Sequence, residues 1–513
     1  MHLQTRRSKA WLRIAAVLSA SMAFALAYTQ APLYTSNQNQ YFLHGLANAG
    51  FGFLESDWLA NTADPTPVFS LFVEWTYRLN EWEGLFYLYY AILMCIYLFS
   101  LVGITAKFFP LVRTPGIYLT FLTGLILIHS AGLRFVLSRL IGMNWTYVLE
   151  DGVADQRLLG SVFQPSTCGV FLLLSIYLFL DRRAIWAGIS AVAAATVHPT
   201  YLLSAATLIM SYMVLLFIEK KRMREPVLLG CITALLVLPI LLYVFLNFGN
   251  TTPETAAAAQ RILVDYRIPH HANISWWLDA TAIFKVLVIL TAMYLVRRGR
   301  WLFILLVPFG VGVLLTTAQV ITGSQTLALL FPWRVSTWLM PISTSILFGW
   351  LVIHFYRRFF KPGTFYVKGL IFANLAMILL AISAGIFRTF LDFSRQSNLP
   401  DRAMMNWISE NKTPEDRYLI PTKMQDFRLY TGAPIFVDFK SIPYRDVDVL
   451  EWHRRILLAD IFYKREDCSL IQGFPEKEKI NYLVLTEEEF NTICPHTMLV
   501  YSDAHYQVYR FEQ

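Results

Sequence analysis

The sequence predicts an all-α polytopic membrane protein with about eleven transmembrane helices and a small α/β domain outside the cytoplasm. Composition, the apolar runs and the distribution of charge between those runs each support this prediction. Of the 513 residues, 56% are hydrophobic and only 15% are charged, whereas about 25% are charged in an ordinary soluble protein. The mean hydropathy is +0.47. A soluble core cannot bury this much apolar surface, but a bilayer can.

The apolar residues are concentrated in runs that are long enough, or nearly so, to cross a membrane, which takes about 20 residues. The shortest of the runs are 165–181 and 184–198. A basic N-terminal stretch precedes the first run, which we interpret as an uncleaved helix and not as a signal peptide. The predicted spans are 11–29, 84–106, 115–137, 165–181, 184–198, 200–219, 226–247, 281–298, 301–320, 333–356 and 366–390.

The charges between the runs alternate in the way that the positive-inside rule requires when the N-terminus is cytoplasmic. Each predicted inner connection contains at least two Lys or Arg residues. The long first outer loop, residues 30–83, is acidic and contains a single arginine, Arg78. The net charge of +8 therefore indicates membrane topology with a cytoplasmic N-terminus, and we predict no nucleic-acid partner.

The odd number of spans places the polar tail outside the cytoplasm and divides the chain into a transmembrane domain, residues 1–391, and an extracytoplasmic α/β domain, residues 392–513. Cys468 and Cys494 lie in this tail, where they could form one disulfide. Its predicted helices are 398–411 and 447–463, and its predicted strands are 418–421, 434–438, 481–486, 498–501 and 506–510.

Ionisable residues are scarce in the middle of the predicted spans and more frequent in the outer loops. Glu55 and Asp57 in the first outer loop are two residues apart, so their carboxylates could converge on a metal or on an acceptor hydroxyl. The alternative is that these are solvated loop acids or helix caps, and spacing alone favours that alternative. No cofactor is required by the sequence, and a divalent metal such as Mg²⁺ or Mn²⁺ is an option.

Four arginines lie near predicted outer helix ends or in the second outer loop, where a guanidinium could bind a lipid phosphate. Interfacial snorkelling is the alternative for each of them. Other polar residues of the outer loops could contact a headgroup or a sugar. The arginines are Arg134, Arg139, Arg157 and Arg334, and the other residues are Gln164, His198, His270 and His271.

The architecture and several short motifs resemble the GT-C superfamily of membrane glycosyltransferases, in particular a bacterial branch of GT-C-like proteins. The motifs are Glu55-Ser-Asp57, the stretch from Asp57-Trp-Leu-Ala to Asp64-Pro-Thr-Pro, Gln164-Pro165, His198-Pro199 and Pro269-His-His271. The resemblance in architecture covers nearly the whole chain. It implies transfer of a sugar from a polyprenyl-phosphate-linked donor to a glycan, lipid or protein acceptor of the cell envelope, at the outer face of the bacterial inner (cytoplasmic) membrane.

By this resemblance, Asp57 would be the catalytic base or would orient the acceptor, and Glu55 would support it. The chain lacks a WWDYG-type motif, so an oligosaccharyltransferase is not expected. The acidic pair also lies deep in the loop, which leaves Asp64 as a competing base. The alternatives from other functional classes are a transporter or flippase of lipid-linked glycan and a non-catalytic envelope scaffold.

Overall fold

The computed structural model describes residues 2–359, 365–465, 467–486 and 494–512. Each of the predicted apolar runs coincides with a helix in this part of the chain. Six helical stretches are long and apolar enough to cross a membrane, so the chain is a multi-pass membrane protein. They are Gly84–Phe108, Pro199–Lys220, Arg224–Asn247, Leu302–Thr322, Gln325–Phe359 and Lys368–Ser397.

The remaining predicted runs form shorter or broken helices. The pair Pro115–Ile128 and Ala131–Leu140 bends by 57°, because the second helix begins anew at Ser130, whose hydroxyl accepts from the Leu133 amide at 3.1 Å. At 1.5 Å per residue, the helices Pro165–Leu180, Ala184–Val197 and Ala280–Leu295 are shorter than the roughly 30 Å hydrocarbon core. Ile14–Tyr28 is the apolar part of the longer helix His2–Tyr28. Eleven crossings therefore stay a prediction.

The chain forms two compact units, each assembled from separate segments. The helical unit contains Met1–Gln30, Phe86–Leu241 and Ile268–Leu391. The second unit, which we call the outer unit after its predicted side of the membrane, contains Ala31–Leu85, Leu242–Arg267 and Asp392–Gln513. The helical unit has its own close packing: a Cβ added at Gly188 would lie 2.6 Å from the Thr233 side chain. It also contains the short helices Pro269–Ala272 and Ile274–Trp277.

The outer unit combines the first outer loop with the tail. The loop contributes the helices Gln38–Tyr41, Leu43–Asn48 and Pro67–Asn80, and the middle segment contributes Pro253–Arg261 and the π-helical turn Ile262–Arg267. The tail contributes Arg402–Asn411, Phe427–Thr431, Asp446–Arg465 and Phe474–Lys477. The predicted helix 398–411 begins only at Arg402, because the preceding helix continues to Ser397.

A four-stranded sheet forms in the tail from β1 (Tyr418–Leu419), β2 (Tyr482–Thr486), β3 (Thr497–Ser502) and β4 (Tyr506–Phe511), in the order β1-β2-β4-β3. β1 is parallel to β2, and the other pairs are antiparallel. A disulfide joins Cys468 to Cys494, as a tail outside the cytoplasm would permit.

The predicted strand 434–438 was wrong: Ile435 makes only an isolated bridge to Tyr418. The physical reason is that the Ile435 amide donates to the Asp57 carboxylate, at 3.0 Å, and is not available to a ladder. The loop and the tail also meet at Gly52, where φ is +56° and an added Cβ would lie 2.3 Å from the Gly432 carbonyl oxygen. Only glycine fits there without strain.

Candidate functional site

Asp57 lies at the centre of the contact between the first outer loop and the tail, and its side chain is fully buried. Its Oδ1 accepts from the backbone amides of Leu59, at 2.9 Å, and Ala60, at 3.4 Å. Its Oδ2 accepts from Arg428 Nε at 2.9 Å and from the Ile435 amide at 3.0 Å. Both carboxylate oxygens are therefore fully occupied.

Arg428 joins Asp57 to a second buried carboxylate. It donates to Asp438 Oδ2 at 2.6 Å, and Asp438 Oδ1 accepts from the Ser441 amide at 2.7 Å. Burial raises the pKa of Asp438, and the Arg428 charge opposes that rise. We call Asp57, Arg428 and Asp438 the outer triad.

The outer triad fixes the conformation of the first loop. A general base needs a lone pair that can reach the proton it removes, and both oxygens of Asp57 already accept hydrogen bonds. The base role of Asp57 stays a prediction, and its contacts favour a positioning role. Sequence reasoning missed Arg428, because nothing in its local pattern separates it from a surface arginine.

Glu55 and Asp64 are more accessible than Asp57. Glu55 is exposed and Asp64 is half-buried. Asp64 accepts from the Thr66 amide at 2.8 Å, and its backbone carbonyl accepts from the Tyr243 hydroxyl at 2.8 Å. No group of three or more His, Cys, Asp or Glu residues within the described ranges could hold a metal ion. A divalent metal at the Glu55 and Asp57 pair stays a prediction.

The second outer loop neutralises two of the four predicted arginines within the helical unit. Arg134 lies 3.5 Å from Glu150 Oε1 and also donates to the Tyr28 carbonyl. Arg157 Nε donates to Asp151 Oδ2 at 2.7 Å. Both guanidinium groups lie over the Tyr147 ring, at 5.1 and 4.0 Å from its centroid. These charges therefore stabilise the loop.

Glu150 is the least satisfied acid of this loop. Both of its carboxylate oxygens are buried without a hydrogen-bond partner among the described residues. Burial raises the pKa of Glu150 to about 8, although the charge on Arg134 opposes the rise. Burial likewise raises the pKa of Asp151 to about 6. The burial of Glu150 could not be predicted from the sequence, because its loop has no periodic pattern.

The other two arginines differ from each other. Arg139 is exposed and lies against the Phe135 ring at 5.5 Å, as expected for a snorkelling side chain. Arg334 is half-buried, and its Nε is buried without a hydrogen-bond acceptor among the described residues. Its guanidinium lies 4.9 Å from the centroid of the Tyr201 ring. Of the four predicted arginines, Arg334 is the one with a buried guanidinium nitrogen that lacks an acceptor among the described residues.

Three short turns that each contain a proline meet around Tyr201. They are the 3₁₀ turns Pro165–Gly169, Pro199–Tyr201 and Pro332–Val335. The Tyr201 hydroxyl donates to the Ser166 carbonyl at 2.8 Å, and its ring lies 5.5 Å from that of His198. The structure thus brings together Gln164, His198 and Arg334, which the sequence marked separately. We call this region the proline-turn cluster.

The proline-turn cluster contains polar atoms that are buried without a partner in the described part of the chain. They are Gln164 Oε1, Thr200 Oγ1, Ser204 Oγ and Arg334 Nε. Native proteins leave few such atoms, and each costs about 1–3 kcal/mol. A polar ligand that supplied acceptors to Arg334 and donors to Gln164 would remove this cost.

The adjacent histidines lie beside the second outer loop, within the helical unit. His271 Nδ1 is 2.7 Å from the Ala154 carbonyl, and its ring lies 4.1 Å from that of His270. Burial, and then the neighbouring His270, lower the pKa of His271 to about 3. His271 is therefore neutral near pH 7, and it anchors the loop through this contact. His270 is exposed.

Comparisons with known proteins find a matching family model and several similar solved structures. Residues 400–459 match the family model of a domain of unknown function, DUF6798, and this segment contains two members of the outer triad. The crystal structure of ArnT from Cupriavidus metallidurans, bound to undecaprenyl phosphate, is similar to this chain over 98% of both chains, with 13% identity and a TM-score of 0.47. These values are too low to carry an inference about this chain. No curated protein matches the sequence significantly.

Proposed function

We propose that this protein is a membrane glycosyltransferase that transfers a sugar from a polyprenyl-phosphate-linked donor to an acceptor at the outer face of the cytoplasmic membrane. The observation that carries the proposal is Arg334, a half-buried cation with an unsatisfied Nε in the proline-turn cluster. Its planar guanidinium matches the oxygens of a phosphate. Its place at a predicted outer helix end suits the phosphate of a membrane-embedded carrier.

In this proposal, the helical unit binds the donor phosphate and its neighbouring polar groups. Arg334 donates to the phosphate, and Gln164 and His198 contact the phosphate or the sugar. Arg134 and Arg157 stay paired with acids and hold the second outer loop. The positive charge on Arg334 stabilises the phosphate that leaves when the bond from the carrier to the sugar breaks.

The acceptor hydroxyl must lose its proton to a base during the same transfer. Glu55 and Asp64 are the candidate acids that are more accessible than Asp57, so one of them takes this role in our proposal. Asp57 holds the loop in place through the outer triad. The first-loop acids and Arg334 belong to different units, and each role rests on the geometry of its own unit.

The first experiment tests the phosphate site in the full-length protein in lipid nanodiscs. Undecaprenyl phosphate is titrated into the wild-type protein and the Arg334→Gln variant. Loss of a charge-assisted hydrogen bond, worth about 1.5–3 kcal/mol, should weaken binding by roughly 10- to 100-fold. Arg139→Gln is the matched control, since it removes an equal charge from an exposed arginine. Equal binding by wild type and Arg334→Gln would refute the phosphate site.

The second experiment separates an enzyme from a transporter. Radiolabelled polyprenyl-phosphate sugars extracted from bacterial membranes are supplied to the protein in nanodiscs with an envelope extract as acceptor. An enzyme releases the free carrier and labels the acceptor, whereas a flippase leaves the labelled lipid intact. Glu55→Gln or Asp64→Asn should abolish the label on the acceptor, while undecaprenyl phosphate binding persists. If both variants transfer at the wild-type rate, the catalytic proposal fails.

A further inference from the structure

A cavity of about 450 Å³ opens in the helical unit, at the end of the helix Gly84–Phe108 and beside the C-terminal half of Ser336–Phe359. Loop charge predicts that this end of both helices lies on the cytoplasmic side. The cavity is therefore separate from the proline-turn cluster, which lies at predicted outer helix ends. Its lining includes Phe109, Pro110, Trp350, His354, Arg357 and Arg358.

The cavity has one cationic and one apolar wall. Arg357 and Arg358 are exposed, and none of the described residues that line the cavity is acidic. Trp350 and His354, one helical turn apart, stack with their ring centroids 5.4 Å apart. Phe109 and Pro110 face them from the other element. We call this the inner basic pocket.

Basic residues at a cytoplasmic helix end often only snorkel or complement the helix dipole. The inner basic pocket differs because a second element lines it and places aromatic surface beside the cations. A free phosphate ion would not use this apolar wall. A phospholipid would use both walls, because its phosphate suits the arginines and its glycerol and upper acyl chain suit the aromatic groups.

We propose that the inner basic pocket binds the headgroup of an anionic phospholipid from the inner leaflet. The arginines donate to the lipid phosphate, and Trp350 and Phe109 cover its glycerol backbone. The cytoplasmic leaflet carries the anionic lipids, and basic pockets between membrane helices on that side suit such headgroups. The proposal is independent of glycosyl transfer, since it uses none of the residues assigned to the donor.

The test measures thermal unfolding of the full-length protein in neutral detergent. Short-chain phosphatidylglycerol, short-chain phosphatidylcholine and inorganic phosphate are added in separate titrations, because a ligand that binds the folded state raises the unfolding midpoint. We expect phosphatidylglycerol to raise the midpoint at concentrations where the other two do not. The double variant Arg357→Gln/Arg358→Gln should bind phosphatidylglycerol at least roughly tenfold more weakly, as expected when charge-assisted hydrogen bonds are lost.

The matched control is Arg297→Gln/Arg298→Gln, which removes the same charge from another exposed pair in a predicted inner connection. This control should keep the wild-type response to phosphatidylglycerol. If the first double variant does not fold, His354→Glu adds an acid to the cavity wall and should also abolish the response. The proposal is overturned if inorganic phosphate or phosphatidylcholine stabilises the protein equally, if both arginine pairs behave alike, or if His354→Glu responds as wild type.

Discussion

The outer triad and the proline-turn cluster are both buried and polar, but they differ in how completely their hydrogen bonds are formed. Asp57 accepts four hydrogen bonds and shares Arg428 with Asp438. In the proline-turn cluster, Gln164 Oε1 and Arg334 Nε have no partner among the described residues. A complete network has no buried donor or acceptor left for a ligand to pair with. An incomplete network is stabilised when a ligand supplies the missing hydrogen-bond partners.

This difference changes which of the predicted residues stand out. The acid that the family resemblance makes most prominent, Asp57, has the contacts of a structural residue. The arginine that the sequence could not separate from its neighbours, Arg334, has the contacts of a binding residue. The comparison can be tested by substitutions that remove a polar or charged group. Each substitution at a site with complete hydrogen bonds is compared with one at a site where hydrogen-bond partners are missing.

The largest effect is expected from Arg428→Met, which leaves Asp57 and Asp438 buried without their cation. Breaking a buried ion pair in this way costs about 3–5 kcal/mol, so the outer unit should unfold early. Limited proteolysis and thermal unfolding of the full-length protein measure this. Arg445→Met is the control, since its pair with Asp448, at 3.0 Å, is partly exposed and is worth about 0–1 kcal/mol. Equal losses of stability in Arg428→Met and Arg445→Met would show that the outer triad contributes no more than a surface ion pair.

A smaller effect is expected from Glu150→Gln, and it depends on pH. The pKa of Glu150 is raised to about 8 in the fold from an ordinary 4.5, so between these values the folded state binds more protons. The free energy of unfolding therefore falls as pH rises through this window. We expect the variant to lose this slope, because the glutamine side chain does not titrate.

Thermal unfolding from pH 5 to pH 8 measures the slope. Asp155→Asn is the matched control from the same loop, because Asp155 is mostly exposed and its pair with Arg157 is 3.5 Å long. This control should keep the wild-type slope. If Glu150→Gln also keeps that slope, Glu150 does not titrate between pH 5 and pH 8. Its buried oxygens are then not the cause of the pH dependence of the free energy of unfolding.

The smallest effect is expected from Gln164→Leu, which removes an unpartnered buried acceptor at similar volume. Without ligand, the free energy of unfolding should stay the same or rise by up to about 1 kcal/mol. Gln396→Leu should instead lose about 1 kcal/mol, because Gln396 Nε2 donates to the Leu33 carbonyl at 3.1 Å. Undecaprenyl phosphate should stabilise Gln164→Leu less than wild type. The comparison would be contradicted if Gln164→Leu lowered the free energy of unfolding as much as Gln396→Leu does.

Much of the fold could be predicted because it follows from local pattern. Every predicted apolar run is helical, and the tail has most of its predicted helices and strands. Lengths and breaks were less predictable, since the bend after Ile128 depends on a single cap at Ser130. The segment 434–438 failed as a strand because a carboxylate distant in sequence, Asp57, takes the Ile435 amide.

The sequence by itself determined that this is a multi-pass membrane protein with a polar tail, because hydropathy and loop charge are sums over many residues and tolerate local exceptions. It also marked Gln164, His198 and Arg334 as unusual. Only the tertiary structure decided that these three residues share one cluster and that Asp57 belongs to a sealed network with Arg428. The reason is physical. Whether a buried polar atom has a hydrogen-bond partner depends on residues that are far apart along the chain, and a local sequence pattern does not show which of these residues are in contact.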